Sequence, residues 1–326
     1  MAKILISTVP FGEKNRFPLE LLKDKSIDYT INPLNKKFTE EELAKYIVDV
    51  DALIAGTEPI TDYVLSKANK LKHISRVGIG LDSVDLAAAK NRNIEVSYTP
   101  DAPAPAVAEL TLGLMLSLLR SVHISNLNMH NGKWDRIFGR RLSEIKLGII
   151  GVGRIGLRVL RRTRAFGTPE ILLNDIAPNH EIDREMKVKW TTKEDIFRNA
   201  DLISLHLPLT HLTKNLISKR ELLMMKKDAL LINTSRGGII NENDLYNIMM
   251  DGYLSGVAID VFEKEPYKGP LIEIDRCLLT SHMGSMSEDC RTRMEIEATE
   301  ETVRYLSGLK LLNKVPLTEF KMQALK

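Results

Sequence analysis

Short apolar runs alternate with amphipathic stretches along nearly the whole chain. Residues 3–7, 27–31, 52–55, 71–77 and 94–97 have the length and composition of buried strands. Between them, residues 19–22 and 61–68 carry helix spacing, and Thr39 with Glu42 makes the reciprocal pattern of a capping box. The helix opened by that box should bury Leu43, Ile47 and Val48. Strand and helix alternating in this order predict a parallel sheet, so the first ~100 residues can form an α/β domain of their own.

Prolines at 100, 103 and 105 remove backbone donors and fix φ. No helix is expected to propagate through that segment, and the first domain boundary is placed there. A long apolar helix is predicted over 106–129, with Leu110, Leu112, Leu114, Met115, Leu116, Leu118 and Leu119. A helix apolar on nearly all sides must be covered, between domains or by another subunit, which favours a homodimer. Alternation then resumes. Strands are predicted at 146–150, 171–173, 200–205, 229–233, 256–261 and 278–280, and helices at 157–166, 196–199, 219–225 and 242–250. An amphipathic helix over 288–306 closes the pattern.

The strand at 146–150 runs into Gly151-Val152-Gly153-Arg154-Ile155-Gly156. A strand, a G-x-G-x-x-G turn and a helix in that order make a dinucleotide fingerprint. Gly151 permits the tight turn, Gly153 lets the backbone approach a pyrophosphate, and Gly156 lets helix and strand pack closely. The first N–H groups of the new helix point at the anion, aided by the helix dipole. Asp175 ends the next strand, about 20 residues on, where an acid accepts the ribose hydroxyls of an adenosine. Its charge would repel a 2′-phosphate, so NAD is favoured over NADP.

Composition narrows the alternatives. At 326 residues the chain has room for two domains, and its 44% hydrophobic and 27% charged content is ordinary for a soluble globular protein. A formal net charge of +3 gives no argument for nucleic acid. The arginines at 154, 158, 161, 162 and 164 read as the wet face of the helix after the glycine turn. The N-terminal apolar run is too short for a signal peptide, and no run reaches the ~20 residues needed to span a bilayer. Cys277 and Cys290 offer neither a disulfide framework nor metal-ligand spacing. A cytoplasmic protein without metal or membrane partner is the expectation.

Open α/β sheets bind ligands at the carboxyl ends of their strands. His206, Arg236, Asp260 and His282 all lie at or just beyond predicted strand ends. With a nicotinamide bound, three residues meet the needs of 2-oxo acid reduction. Arg236 can hold carboxylate and carbonyl in its rigid fork. His282 can give the proton, and Glu265 can orient its ring and favour the charged form. In the first domain, Gly78 and Gly80 follow a strand, as a nest for a carboxylate or as a tight turn only.

These residues resemble the D-isomer-specific 2-hydroxyacid dehydrogenase family of oxidoreductases, with phosphoglycerate dehydrogenase among its members. The likeness lies in the glycine turn, Leu205-His206-Leu207-Pro208-Leu209-Thr210, Ile232-Asn233-Thr234-Ser235-Arg236-Gly237, residues 258–266 and Ser281-His282-Met283-Gly284-Ser285, with residues 78–85 and 106–110 also matching. It implies two Rossmann-like, doubly wound parallel-sheet domains with a cleft between them. One is a discontinuous, flavodoxin-like substrate domain, residues 1–100 plus 289–326; the other, residues 101–288, binds NAD. It further implies an acid pair, Glu265 and His282, beside Arg236 on a small D-2-hydroxy or 2-oxo acid. Val77, Gly78, Ile79 and Gly80 would meet the substrate carboxylate. Arg154, Ile155, Asp175, His206, Leu207, Pro208, Thr234, Ser235, Arg236, Asp260, His282 and Gly284 would line the cofactor.

Ser281 stands where many members have proline, and Ser285 where many have glycine. Both touch the loop carrying the acid. The length leaves no room for the C-terminal regulatory domain of some phosphoglycerate dehydrogenases, so serine feedback is not expected. Two other readings stay open: an NAD(H)-sensing interaction protein like the corepressors of this fold, and a formate or phosphite dehydrogenase of the same family.

Overall fold

The computed structural model describes residues 2–167 and 169–324, in two compact units. Unit 1 is Met1–Pro103 with Met286–Lys326, and unit 2 is Ala104–Ser285.

Unit 1 is built on five parallel strands: β1 (Lys3–Ile6), β2 (Asp28–Ile31), β3 (Ala52–Ala55), β4 (His73–Arg76) and β5 (Glu95–Tyr98). Their order, β2-β1-β3-β4-β5, is that of flavodoxin-like sheets, with the switch point between β1 and β3. The apolar strands are fully buried where helices cover both faces, as in β3. The capping box forms as predicted, with Glu42 N donating to Thr39 Oγ1 at 3.2 Å and Thr39 N to Glu42 Oε2 at 2.9 Å. Leu43 and Ile47 are buried there, but Val48 is exposed, because the helix ends at Tyr46 and the chain turns away. The helix Glu288–Leu306 forms over its predicted span, and Val315 N donates to Val96 O at 2.9 Å to tie the tail beside β5.

Unit 2 has seven parallel strands: β6 (Lys146–Ile150), β7 (Glu170–Asn174), β8 (Lys189–Trp190), β9 (Leu202–Leu205), β10 (Leu230–Asn233), β11 (Gly256–Ile259) and β12 (Cys277–Leu279). The order β12-β11-β10-β9-β6-β7-β8 reverses direction between β6 and β9. One face carries the helices Lys193–Asn199, Lys219–Met224 and Glu242–Met250 over a core that includes Ile203, Leu231 and Val257. The other carries Ala104–Leu119 and Arg154–Thr163 over Leu147, Ile149 and Leu173.

The long apolar helix differs from expectation in three respects. It begins at Ala104, inside the proline segment, because Pro105 falls in the first turn, where its missing N–H has no partner to lose. It ends at Leu119, and after Ser121 in the left-handed region (φ 50°) a second helix, Val122–His130, leaves at 66°. Val107, Ala108, Thr111, Leu114, Met115, Leu118 and Leu119 are buried in the first helix, whereas none is buried in the second. Among the described residues, no single helix is long and apolar enough to cross a membrane.

Candidate active site

The glycine turn sits at the point where the strand order of unit 2 reverses. Gly151 N donates to Asn174 O at 2.8 Å, and His206 N to Ile150 O at 2.8 Å, so the turn is held between the ends of β7 and β9. Gly151 has φ +90°, and a Cβ there would overlap the His206 carbonyl. A Cβ on Gly156 would overlap Gly151 O, so helix and turn pack backbone to backbone. At Gly153 nothing lies within 4 Å of such a Cβ, leaving open space where the helix Arg154–Thr163 begins. Gly153 is the N-cap and brings no side chain to cap the helix. Asp175 borders this turn, accepting from Val152 N at 2.7 Å and Ala177 N at 2.9 Å. A helix start with no side-chain cap, beside an open glycine and an acid, fits the pyrophosphate and ribose of a dinucleotide.

Arg154 is exposed on this helix and Ile155 half-buried. The ring of His206 lies under the turn with Nε2 2.9 Å from Ser204 Oγ, and burial lowers its pKa to about 3, so it is neutral. Leu207 flanks Gly151 and Pro208 is exposed beyond it.

Three neighbouring strands carry the acid–base residues on the loops after their carboxyl ends. After β10, Asn233 organises the turn. Its Oδ1 accepts from Ser235 N at 3.1 Å and Ser235 Oγ at 2.7 Å, while its Nδ2 donates to Arg236 O at 2.9 Å. Thr234 Oγ1 meets Thr111 Oγ1 at 2.8 Å. Arg236 is half-buried and donates from Nη1 to Ser235 O at 2.6 Å.

After β11 comes Asp260, fully buried, whose carboxylate accepts from Thr280 Oγ1 at 2.6 Å, Met283 N at 2.7 Å and Gly284 N at 2.9 Å. Its carbonyl accepts from His282 N at 2.8 Å. These bonds hold His282 at φ 54°, a left-handed conformation that costs a non-glycine residue ~1–2 kcal/mol. Glu265 lies on the same side: its Oε2 and Oε1 are 3.0 and 3.1 Å from His282 Nδ1, and Oε1 also accepts from Phe262 N at 3.1 Å. With Nδ1 engaged, Nε2 is the ring nitrogen left to meet a ligand, on a side chain 42% exposed.

The predicted carboxylate nest lies in unit 1, after β4. Val77 N donates to Ala55 O at 2.8 Å and Gly78 N to Thr99 Oγ1 at 2.8 Å, so those amides are engaged. Among the described residues no partner is seen for the half-buried Ile79 and Gly80 amides. Sequence reasoning did not single out Asn233 as a site residue. An Asn followed two residues on by Ser at a strand end is the signal for such an Asx turn.

A family model described as "D-isomer specific 2-hydroxyacid dehydrogenase, NAD binding domain" matches residues 112–284, over half of the chain. The chain belongs to this family. Its cofactor is NAD. Among its relatives, the D-3-phosphoglycerate dehydrogenase of Methanocaldococcus jannaschii is 37% identical over 88% of this chain and 56% of its own, so this chain spans little more than half of that protein. The hydroxypyruvate reductase of Thermotoga maritima is 34% identical over 88% of this chain and 93% of its own. In structure the chain resembles the D-lactate dehydrogenase of Aquifex aeolicus, solved with NAD and lactic acid, with TM-score 0.86 and 25% identity over 96% of this chain and 98% of that one.

Proposed function

We propose that this dehydrogenase interconverts a small 2-oxo acid and its D-2-hydroxy acid. The observation that carries the reading is the Glu265–His282 pair, at 3.0 Å, formed between the loops after β11 and β12, beside the Arg236 turn after β10 and in the same unit as the glycine cradle. NAD supplies or accepts the hydride when bound. Arg236 holds the carboxylate and polarises the carbonyl, and His282 Nε2 gives the carbonyl oxygen its proton in reduction or takes it back in oxidation. Glu265 fixes the tautomer through Nδ1 and stabilises the imidazolium. The Ile79 and Gly80 amides of unit 1 can take a carboxylate. Gly151 to Gly156 are assigned to the pyrophosphate and Asp175 to the adenosine ribose. Asp260, with its carboxylate spent on its own chain, acts on the cofactor side through the Met283–Gly284 backbone.

Oxidation of NADH by glyoxylate, hydroxypyruvate, pyruvate and 3-phosphohydroxypyruvate tests this directly. Turnover with at least one, falling by ~10³-fold or more in Arg236→Ala and ~10²-fold or more in His282→Ala, is expected. Folded, NADH-binding protein inert towards all four overturns it.

The second proposal is a cytoplasmic homodimer. Val122, Leu127, Met129, Trp134, Ile137 and Phe138 are exposed along one excursion of unit 2, with Phe138 fully exposed and Trp134 at 76%. So many large apolar side chains left exposed on one segment point to an interface. Sedimentation should give twice the chain mass, and Trp134→Glu with Phe138→Glu should give the monomer.

A further inference from the structure

Glu242 takes no part in the roles assigned above, yet it is built into the loop that carries the acid pair. It is the first residue of the helix Glu242–Met250, whose start is capped by Asn241. Its Oε1 accepts from Glu263 N at 2.7 Å. The preceding amide, Phe262 N, goes to Glu265 itself at 3.1 Å. Two carboxylates therefore hold consecutive amides of one segment. The Arg236 turn also packs closely on that segment, since a Cβ on Gly237 would overlap the Phe262 carbonyl and Glu263 N.

The charges around Glu242 argue against a purely structural role. Burial raises its carboxyl above the usual carboxylate range; the Glu263 amide opposes this, and the charges of Glu263 and Glu265 add to it. Tyr267 faces it too, and its own hydroxyl is shifted up mainly by burial, with a smaller push from Glu242. Arg236, on the adjoining turn, and Lys264, on the segment itself, are the nearby cations in sequence; Asp260 stands behind His282. A glutamine would make the same bond to Glu263 N without crowding a third carboxylate beside two others. What the carboxylate adds is charge.

We propose that Glu242 is a positioning residue for the acid–base pair: it anchors the Phe262–Glu265 segment and adds negative charge that favours the protonated ring of His282. This rests on the dehydrogenase reading given above. The sign follows from electrostatics: an anion near Glu265 stabilises imidazolium, so removing it lets the ring lose its proton at lower pH.

Two readouts test it on the full-length protein, one of them independent of turnover. His282 is titrated by NMR in the wild type and in Glu242→Gln, with His282→Gln to assign the signal. The pH profile of kcat/KM for reduction is measured on the same proteins and on Glu242→Ala. In Glu242→Gln, the ring midpoint and the alkaline limb should both move down by ~0.5 pH unit. In Glu242→Ala, kcat should fall by ~10-fold with a smaller change in KM, and Glu242→Gln should restore most of it. Superimposable titrations of the wild type and Glu242→Gln overturn the charge effect, and an undiminished kcat in Glu242→Ala overturns the anchoring. If the wild type turns over no 2-oxo acid, the dehydrogenase reading fails while the NMR titration still decides the charge effect.

Discussion

Asp260 does for His282 what no neighbour in sequence could. Its carboxylate takes the Thr280 hydroxyl and the two amides after His282, and its carbonyl takes the amide of His282 itself. Asp260→Asn replaces one of the two acceptor oxygens with a donor, which then faces a backbone N–H of Met283 or Gly284. Loss of ~1–3 kcal/mol in a denaturant melt is expected, with kcat falling far more than NADH affinity. A variant with wild-type kcat would show that the loop needs no such clamp. Arg236, Glu265 and His282 were legible because each follows a strong strand pattern and each side chain has one evident chemistry. Asn233 was not singled out although its Asx turn is local and has a readable signal, whereas Glu242 bonds an amide of another loop, and pairings across loops leave no local pattern.

His73 shows the same blindness in unit 1. Its ring is fully buried, 3.0 Å from Ser97 Oγ and stacked on Tyr305 at 4.8 Å, and burial lowers its pKa to about 3. Unfolded, the ring takes a proton near pH 6.5; folded, it does not until about pH 3. Stability present above pH 6.5 is therefore lost as the pH falls below it, by ~1.4 kcal/mol per unit. Urea melts at pH 7 and pH 5 should differ by ~2 kcal/mol more in the wild type than in His73→Gln. Equal differences would refute that account.

At the scale of elements, most strand positions were readable to within two or three residues, since parallel strands buried on both faces are continuous apolar runs. The two-residue strand β8 was not seen, because so short an edge has no periodicity. The break at Ser121 was missed for a different reason. Apolar spacing continues past it, and a serine in the left-handed region has no sequence mark comparable to glycine. The last helix, Leu317–Ala324, was also unforeseen, and through Gln323 it grips the chain after residues 77–80, the proposed carboxylate nest. Gln323 accepts from Leu86 N at 2.7 Å and donates to Val84 O at 2.7 Å and Leu81 O at 3.2 Å. Gln323→Ala should raise KM for the oxo acid ~3- to 10-fold with kcat and NADH affinity little changed. An unchanged KM would uncouple this helix from the nest.

At the scale of the molecule, alternation alone pointed to parallel sheets, and the glycine fingerprint told which of them holds the cofactor. The exposed excursion of unit 2 has one more property. It leaves the core at Leu119 and rejoins it where Arg140 N donates to Leu119 O at 2.9 Å, with Gly139 fitting against that carbonyl because it has no Cβ. The two ends are thus stitched together at the base, and the sheet behind them does not depend on what lies between. Such a segment is a module: a short turn joining Arg120 to Gly139 would close the gap without disturbing Leu118 or Leu142 in the core. Such a module can be lengthened, shortened or exchanged without altering the strand ends that carry Arg236, Glu265 and His282.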